Sequence, residues 1–187
     1  KGSFHDIAAH RYFEGEQIQL LCFDTFEEVF ECLHQDQDAV ALVAIENTIA
    51  GSLLHNYELL RESGATIVGE HKLRISHSIM CLPEDNWADI TEVNSHPVAL
   101  MQCRDFLASH PSMKVVEVAD TAGAAAQISM LRQRGHAAIC HKDAAEIYGM
   151  KVLQTGIETN KHNFTRFLVL SRPEKAGQMR KQQDADK

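Results

Sequence analysis

The sequence predicts an α/β protein built as two lobes around a cleft. Three observations carry that expectation. Apolar runs of strand length alternate with stretches of helical period along most of the 187 residues. Residues 65–82 break this rhythm. There Thr66-Ile67-Val68, Leu73-Arg74-Ile75 and Ile79-Met80-Cys81-Leu82 are strand-like with no long helix between them, which suits a passage between lobes. Finally, Phe167-Leu168-Val169-Leu170, stopped by Arg172-Pro173, predicts a buried strand near the end of the sequence. The expected lobes are residues 1–75 plus 163–172 and residues 78–158, with two crossings and a hinge.

The elements follow in order. Gly2-Ser3 feeds a short helix, Ile7 to Phe13. Such a turn normally follows a strand, so a strand ahead of Lys1 is expected. Ile18-Gln19-Leu20-Leu21-Cys22-Phe23 predicts a strand. Thr25-Phe26-Glu27-Glu28 is a capping-box pattern, and Phe26, Val29, Phe30 and Leu33 recur at helical spacing behind it. Ala39 to Ile45 is almost continuously apolar, as in a parallel strand covered on both faces. Gly51-Ser52 leads into a helix to Ser63, with Gly64 at its C′ position. Beyond Pro83, strands at 90–93, 115–119 and 137–140 alternate with three helices. These start at Pro97, an N1 proline, at Asp120-Thr121 and at His141-Lys142-Asp143. Val152-Leu153 is a short strand. Arg172 to Lys187 is charged and polar, and predicts a linker.

Composition excludes several functions. The net charge of −8, with no basic stripe, argues against a nucleic-acid partner. No apolar run approaches the roughly 20 residues that span a bilayer, so no membrane partner is expected. No signal-peptide pattern is present. The five cysteines form no C-x-x-C, and several fall in apolar runs, as expected of reduced thiols in a cytoplasmic protein. His5/His10 and His136/His141 stand five apart rather than at the i,i+4 spacing of a helical ligand pair, so no metal site is expected. Nucleotide, nicotinamide, flavin and nucleophile-elbow signatures are absent.

The polar residues are informative by position. Glu46-Asn47-Thr48, Asn94-Ser95-His96, Asp120-Thr121 and His141-Lys142 all follow a predicted strand and precede a helix. Ligands of open parallel sheets bind outside the carboxyl ends of the strands, and helix N-termini there favour anions. A small anionic ligand is therefore expected. Thr25, Ser52, Ser95, Asp120 and Thr121 are equally open to reading as plain N-caps, and for Thr25 and Asp120 that reading is preferred. Gln102, inside the helix from Pro97, would ordinarily be a surface residue. At the mouth of the last strand, alternation puts Thr165 and Phe167 on one face and Arg166 on the other, unless a bend unites them.

Five stretches in order resemble prephenate dehydratase, the lyase of phenylalanine biosynthesis. They are Gly2-Ser3-Phe4 with Ala8-Ala9, Glu46-Asn47-Thr48 with Gly51, and Ser95-His96-Pro97 with Gln102-Cys103. Asp120-Thr121-Ala122 with Ala125-Ala126, and Asn163-Phe164-Thr165-Arg166-Phe167, complete the set. The resemblance covers about residues 2–172. It implies two α/β lobes arranged like a type 2 periplasmic binding protein. It implies conversion of prephenate to phenylpyruvate, water and CO2 with no cofactor, and a homo-oligomer, dimer or tetramer, in the intact protein. The family's essential threonine matches Thr165. Substrate contacts are implied for Arg166, Asn47, Gln102, Ser3, Ser95, Thr121 and Phe167. The family usually carries a small residue where His141 stands. Most members continue into a phenylalanine-sensing ACT domain, so residues 173–187 are expected to lead toward one. Alternatives are dehydration of arogenate, and a non-catalytic small-anion binding protein of the same architecture.

The implied substrate carries two carboxylates and a ring hydroxyl. Its conversion needs a bound dianion and help for the departing oxygen. Arg166 could take a carboxylate in bidentate fashion. The Thr165 hydroxyl could donate to the leaving oxygen as charge develops, with Asn47 and Gln102 orienting the substrate.

Overall fold

A computed structural model describes residues 1–177. Helix α1 (Phe4–Tyr12) is followed by α2 (Phe26–Gln35), β1 (Val40–Asn47), β2 (Gly51–Ser52), α3 (Leu54–Ser63), β3 (Thr66–Arg74) and β4 (Ser78–Cys81). Then come β5 (Glu92–Ser95), α4 (Pro97–Gln102), α5 (Arg104–Ala108), β6 (Lys114–Glu117) and α6 (Thr121–Leu131). The last elements are β7 (His136–Cys140), α7 (Asp143–Tyr148), β8 (Lys151–Thr155) and β9 (Phe164–Ser171). Residues 173–177 are helical, and the remainder of the expected polar tail lies outside the described residues.

The elements sort into two compact α/β units. Unit 1 is Lys1–Ile7 with Arg74–Asn163, and unit 2 is Ala8–Leu73 with the described residues from Phe164. The chain therefore passes between units three times, where two crossings were expected. The extra passage arises because the first residues pack in unit 1. The Phe4 ring stands edge-on to His77 at 5.4 Å and to His141 at 5.7 Å between centroids. Tyr148 Oη donates to the Lys1 carbonyl at 2.7 Å.

In unit 2 the sheet order is β2-β1-β9-β3. Val43, Ile45, Leu168 and Leu170 pack with Phe30 and Leu33 of α2 and Tyr57 and Leu60 of α3. Each such Leu or Ile withdrawn from water contributes roughly 1.5–3 kcal/mol. The expectation of a parallel β1 fails, since β1 runs antiparallel to both β2 and β9. Ala44, Phe167 and Val169 on the alternate positions are buried too. An unbroken apolar run reports that both faces are covered, not which way the neighbour runs. The strand expected at 18–23 is also absent. That segment is irregular, with Leu21 and Phe23 exposed. Strand propensity alone forms nothing without a sheet edge to pair with. The capping box of α2 is present, with Glu28 N donating to Thr25 Oγ1 at 3.3 Å and Thr25 N to Glu28 Oε2 at 3.1 Å.

In unit 1 the order is β6-β5-β7-β4-β8, a mixed sheet. Only β5 with β6 and β5 with β7 are parallel, while β4 is antiparallel to β7 and β8. One core joins Leu100 and Phe106 to Ile79, Val93 and Ile139. Another joins Ala124, Ala125, Ile128, Ala144 and Ala145 to Met80, Ala138 and Cys140, the alanines admitting α6 and α7 close to the strands. The helix expected from Pro97 to about Ser109 breaks at Cys103 into α4 and α5. Ser78 pairs with Cys140, so the start of β4 meets the end of β7. This places His77, His141 and Ser95 at one end of the sheet, with the N-terminus of α6 following β6.

Candidate functional site

In unit 2, the polar mouth of β9 is built across the pairing of Asn47 with Thr165. Asn47 Nδ2 donates to Thr165 Oγ1 at 3.0 Å and to the Phe164 carbonyl at 3.2 Å. Asn47 Oδ1 accepts from Ile49 N and Ala50 N, both at 2.9 Å. These four bonds occupy the Asn47 amide, which turns the chain after β1 and holds Thr165. Asn47, a substrate contact expected from the sequence, here holds the residue beside it. Thr165 Oγ1 is the acceptor of that bond, so its own hydrogen remains to donate. No acceptor for it stands among the described residues.

Arg166 takes the other face, as alternation requires, and no bend brings it to Thr165. Its Nε and Nη2 donate to Glu70 Oε2 at 3.0 and 2.7 Å, and Nη1 lies 3.6 Å from Glu46 Oε2. Tyr57 Oη donates to the other Glu46 oxygen at 2.9 Å. The hydrogen bond to Glu70 and then the Glu70 charge, with a smaller contribution from Glu46, raise the guanidinium pKa. The guanidinium thus spends its fork on two carboxylates of the adjacent strands β1 and β3. Phe167, the other predicted contact on this strand, is 1% exposed and belongs to the interior.

In unit 1, Gln102 is buried at 7% exposure, contrary to the surface position its helix suggested. Gln102 Oε1 accepts from His77 Nε2 at 2.8 Å and from Asn163 Nδ2 at 3.0 Å. Both donors are fully enclosed, at 1% and 0% exposure. Glu158, also 1% exposed, accepts from His77 N at 3.0 Å through Oε2, and its Oε1 lies 3.7 Å from Arg74 Nη2. Desolvation lowers the His77 pKa, opposed by its bond to Gln102 and the charge of Glu158. A neutral imidazole follows. Nothing in the sequence pattern pointed to His77 or Glu158, because neither sits in a strand-end motif. Asn163 stood within a motif without a role of its own.

The remaining candidates are mostly structural in their local contacts. Ser3 Oγ accepts from Asp6 N at 3.3 Å and caps α1. The Ser95 hydroxyl is buried and donates to the Ile139 carbonyl at 2.6 Å. Asp120 caps α6 by accepting from Gly123 N at 2.6 Å, which leaves the Thr121 hydroxyl at the first turn without a partner among the described residues. His96 and His141 each accept at Nδ1 from a backbone N–H two residues on, both at 3.2 Å. A shallow depression along α2, lined by Glu27, Glu28, Glu31, Asp36 and Asp38, holds none of these residues. Its carboxylates would repel an anion. Among the described residues no group of three His, Cys, Asp or Glu gathers as metal ligands would, and no helix is long and apolar enough to cross a membrane.

The family model described as prephenate dehydratase matches residues 1–175. The chain belongs to the prephenate dehydratase family. It is 32% identical over 175 residues to the bifunctional chorismate mutase/prephenate dehydratase of Escherichia coli, covering 92% of this chain and 45% of that protein. It is 36% identical over 173 residues to arogenate dehydratase/prephenate dehydratase 6 of Arabidopsis thaliana, covering 91% and 41%. The solved prephenate dehydratase of Staphylococcus aureus superposes with a TM-score of 0.78 at 28% identity, over 91% of this chain and 63% of that one. The chain spans about half the length of the curated relatives it matches. Among the described residues, the Asn47–Thr165 pair in unit 2 and the Gln102 cluster in unit 1 are each built by polar partners distant in the sequence.

Proposed function

We propose that this chain converts prephenate to phenylpyruvate, water and CO2. The observation that carries the reading is the oriented Thr165 hydroxyl. Asn47 occupies its oxygen from one side, so the O–H hydrogen is left to donate elsewhere. A donor fixed in advance stabilises charge developing on a departing hydroxyl without reorganising at that moment. Aromatisation of the ring drives the loss of CO2, so positioning and one aimed donor are what the protein must add. Within unit 1, Gln102 and Thr121 carry side-chain donors of their own, and the N-terminus of α6 adds partial positive charge, which suits a carboxylate. Family membership supports the same reading, and the names of the Arabidopsis relatives support testing arogenate beside prephenate.

The test is an assay of the purified chain with each substrate, following phenylpyruvate and phenylalanine release. Phenylpyruvate from prephenate is the expected product. Turnover of arogenate alone would move the assignment to that substrate. Saturable binding of prephenate without turnover would make the chain a small-anion binding protein.

A further inference from the structure

We propose that His77 is a positioning residue that, with Asn163, holds the Gln102 amide so that its N–H2 is the edge presented to a substrate carboxylate. The inference rests on the dehydratase reading above and deepens it by assigning a direction to one binding group. The Gln102 carbonyl oxygen has two lone pairs, and both are taken, by His77 Nε2–H and by an Asn163 Nδ2–H. Turned over, the amide would set its own N–H2 against the N–H2 of Asn163. The orientation is therefore determined by its neighbours. No described residue accepts from Gln102 Nε2, so both of its hydrogens are uncommitted.

The tautomer of His77 is part of the device. Only a ring that carries Nε2–H can donate to Gln102, and in the neutral imidazole Nδ1 then carries the lone pair. Nδ1 is buried without a hydrogen-bond partner among the described residues. Its backbone N is pinned to Glu158, and the edge-on Phe4 ring restrains the imidazole plane. Burial disfavours the imidazolium, which would otherwise add a second proton with no acceptor. A surface glutamine could rotate its amide to suit any ligand. This one has been given a fixed donor edge inside unit 1, which suits an anion and disfavours a cationic or donor-rich ligand.

Two measurements test it. In the wild-type chain labelled with 15N, long-range 15N–1H correlation at pH 7 should show His77 as the neutral Nε2–H tautomer. An Nδ1–H tautomer, which leaves Nε2 without a hydrogen to give Gln102, would overturn the proposal. In the second, kcat/KM for prephenate is compared in a double-mutant cycle of His77→Phe and Gln102→Ala. H77F should cost about tenfold or more in the wild-type background and close to nothing in the Q102A background, because its effect runs through the amide. H77Q keeps an N–H2 near the Nε2 position and should recover to within about threefold of wild type. An equal cost of H77F in both backgrounds would show that His77 acts otherwise and overturn the proposal. If wild type does not turn prephenate over, the functional reading falls, and the tautomer still decides the clamp on Gln102. The tautomer also decides should H77F fail to fold.

Discussion

At the residue scale, the proposed function turns on which hydrogen each polar group has left to give. Thr165 keeps one because it is the acceptor in its bond with Asn47. Thr165→Val is nearly isosteric and strand-compatible, so it removes that donor and little else. We expect kcat to fall by about 10²–10³, the cost of roughly 3–4 kcal/mol for one lost transition-state donor, with the circular dichroism spectrum unchanged. Near-normal kcat would take Thr165 out of the mechanism. Asn47→Asp is subtler. The carboxylate still accepts from Ile49 N and Ala50 N, but it no longer donates to Thr165, and it invites the Thr165 hydroxyl to donate backward. A fall in kcat of about tenfold or more is expected with KM little changed. If KM rises and kcat holds, Asn47 touches substrate directly.

At the element scale, β9 is an interior strand of its sheet with an ion pair across its exposed mouth. Arg166 joins Glu46 on β1 to Glu70 on β3. That arrangement gives the Arg a job in holding strands in register, though exposed pairs of this kind contribute little. Arg166→Lys keeps the charge toward both carboxylates. We expect KM for prephenate to stay within about threefold of wild type. A rise of tenfold or more, measured under the same conditions, would instead place the guanidinium on a substrate carboxylate, as the motif alone suggested. The same scale explains the missing strand at 18–23. Its residues have the right propensity, but strand formation is a property of a pair.

At the scale of the whole molecule, one buried and two half-buried histidines with lowered pKa are expected to make stability depend on pH. Burial lowers the His5 pKa to about 4, opposed by Asp120, and burial also lowers His77 and, with the charge of Arg11, His71. Folded pKa values below the unfolded value mean that the unfolded chain takes up protons first as pH falls. The stability these groups contribute is therefore complete above about pH 6.5 and is lost as pH drops toward 4. For His5 the loss is at most about 3 kcal/mol. We expect the melting temperature to decline steadily between pH 7 and 4.5, by roughly 5 °C or more. A flat profile over that range would mean that these imidazoles are solvated in the folded state.

Much was legible in the sequence because it is decided within a few residues. The capping box at Thr25, Pro97 opening α4, Asp120 capping α6 and the left-handed Gly64 all depend on backbone groups one to four positions away. The ordered motifs around Asn47, Gln102 and Thr165 were enough to place the chain in its family. What only the tertiary structure decided involves partners far apart in the chain. Thr165 meets Asn47 across 118 residues. Gln102 meets Asn163 across 61 and His77 across 25. No local pattern states that β1 will be flanked antiparallel, that Arg166 will find Glu46 and Glu70, that Gln102 will be enclosed, or that the first seven residues will join unit 1. Those outcomes follow from long-range burial, which chooses among faces and partners that local propensity leaves equivalent.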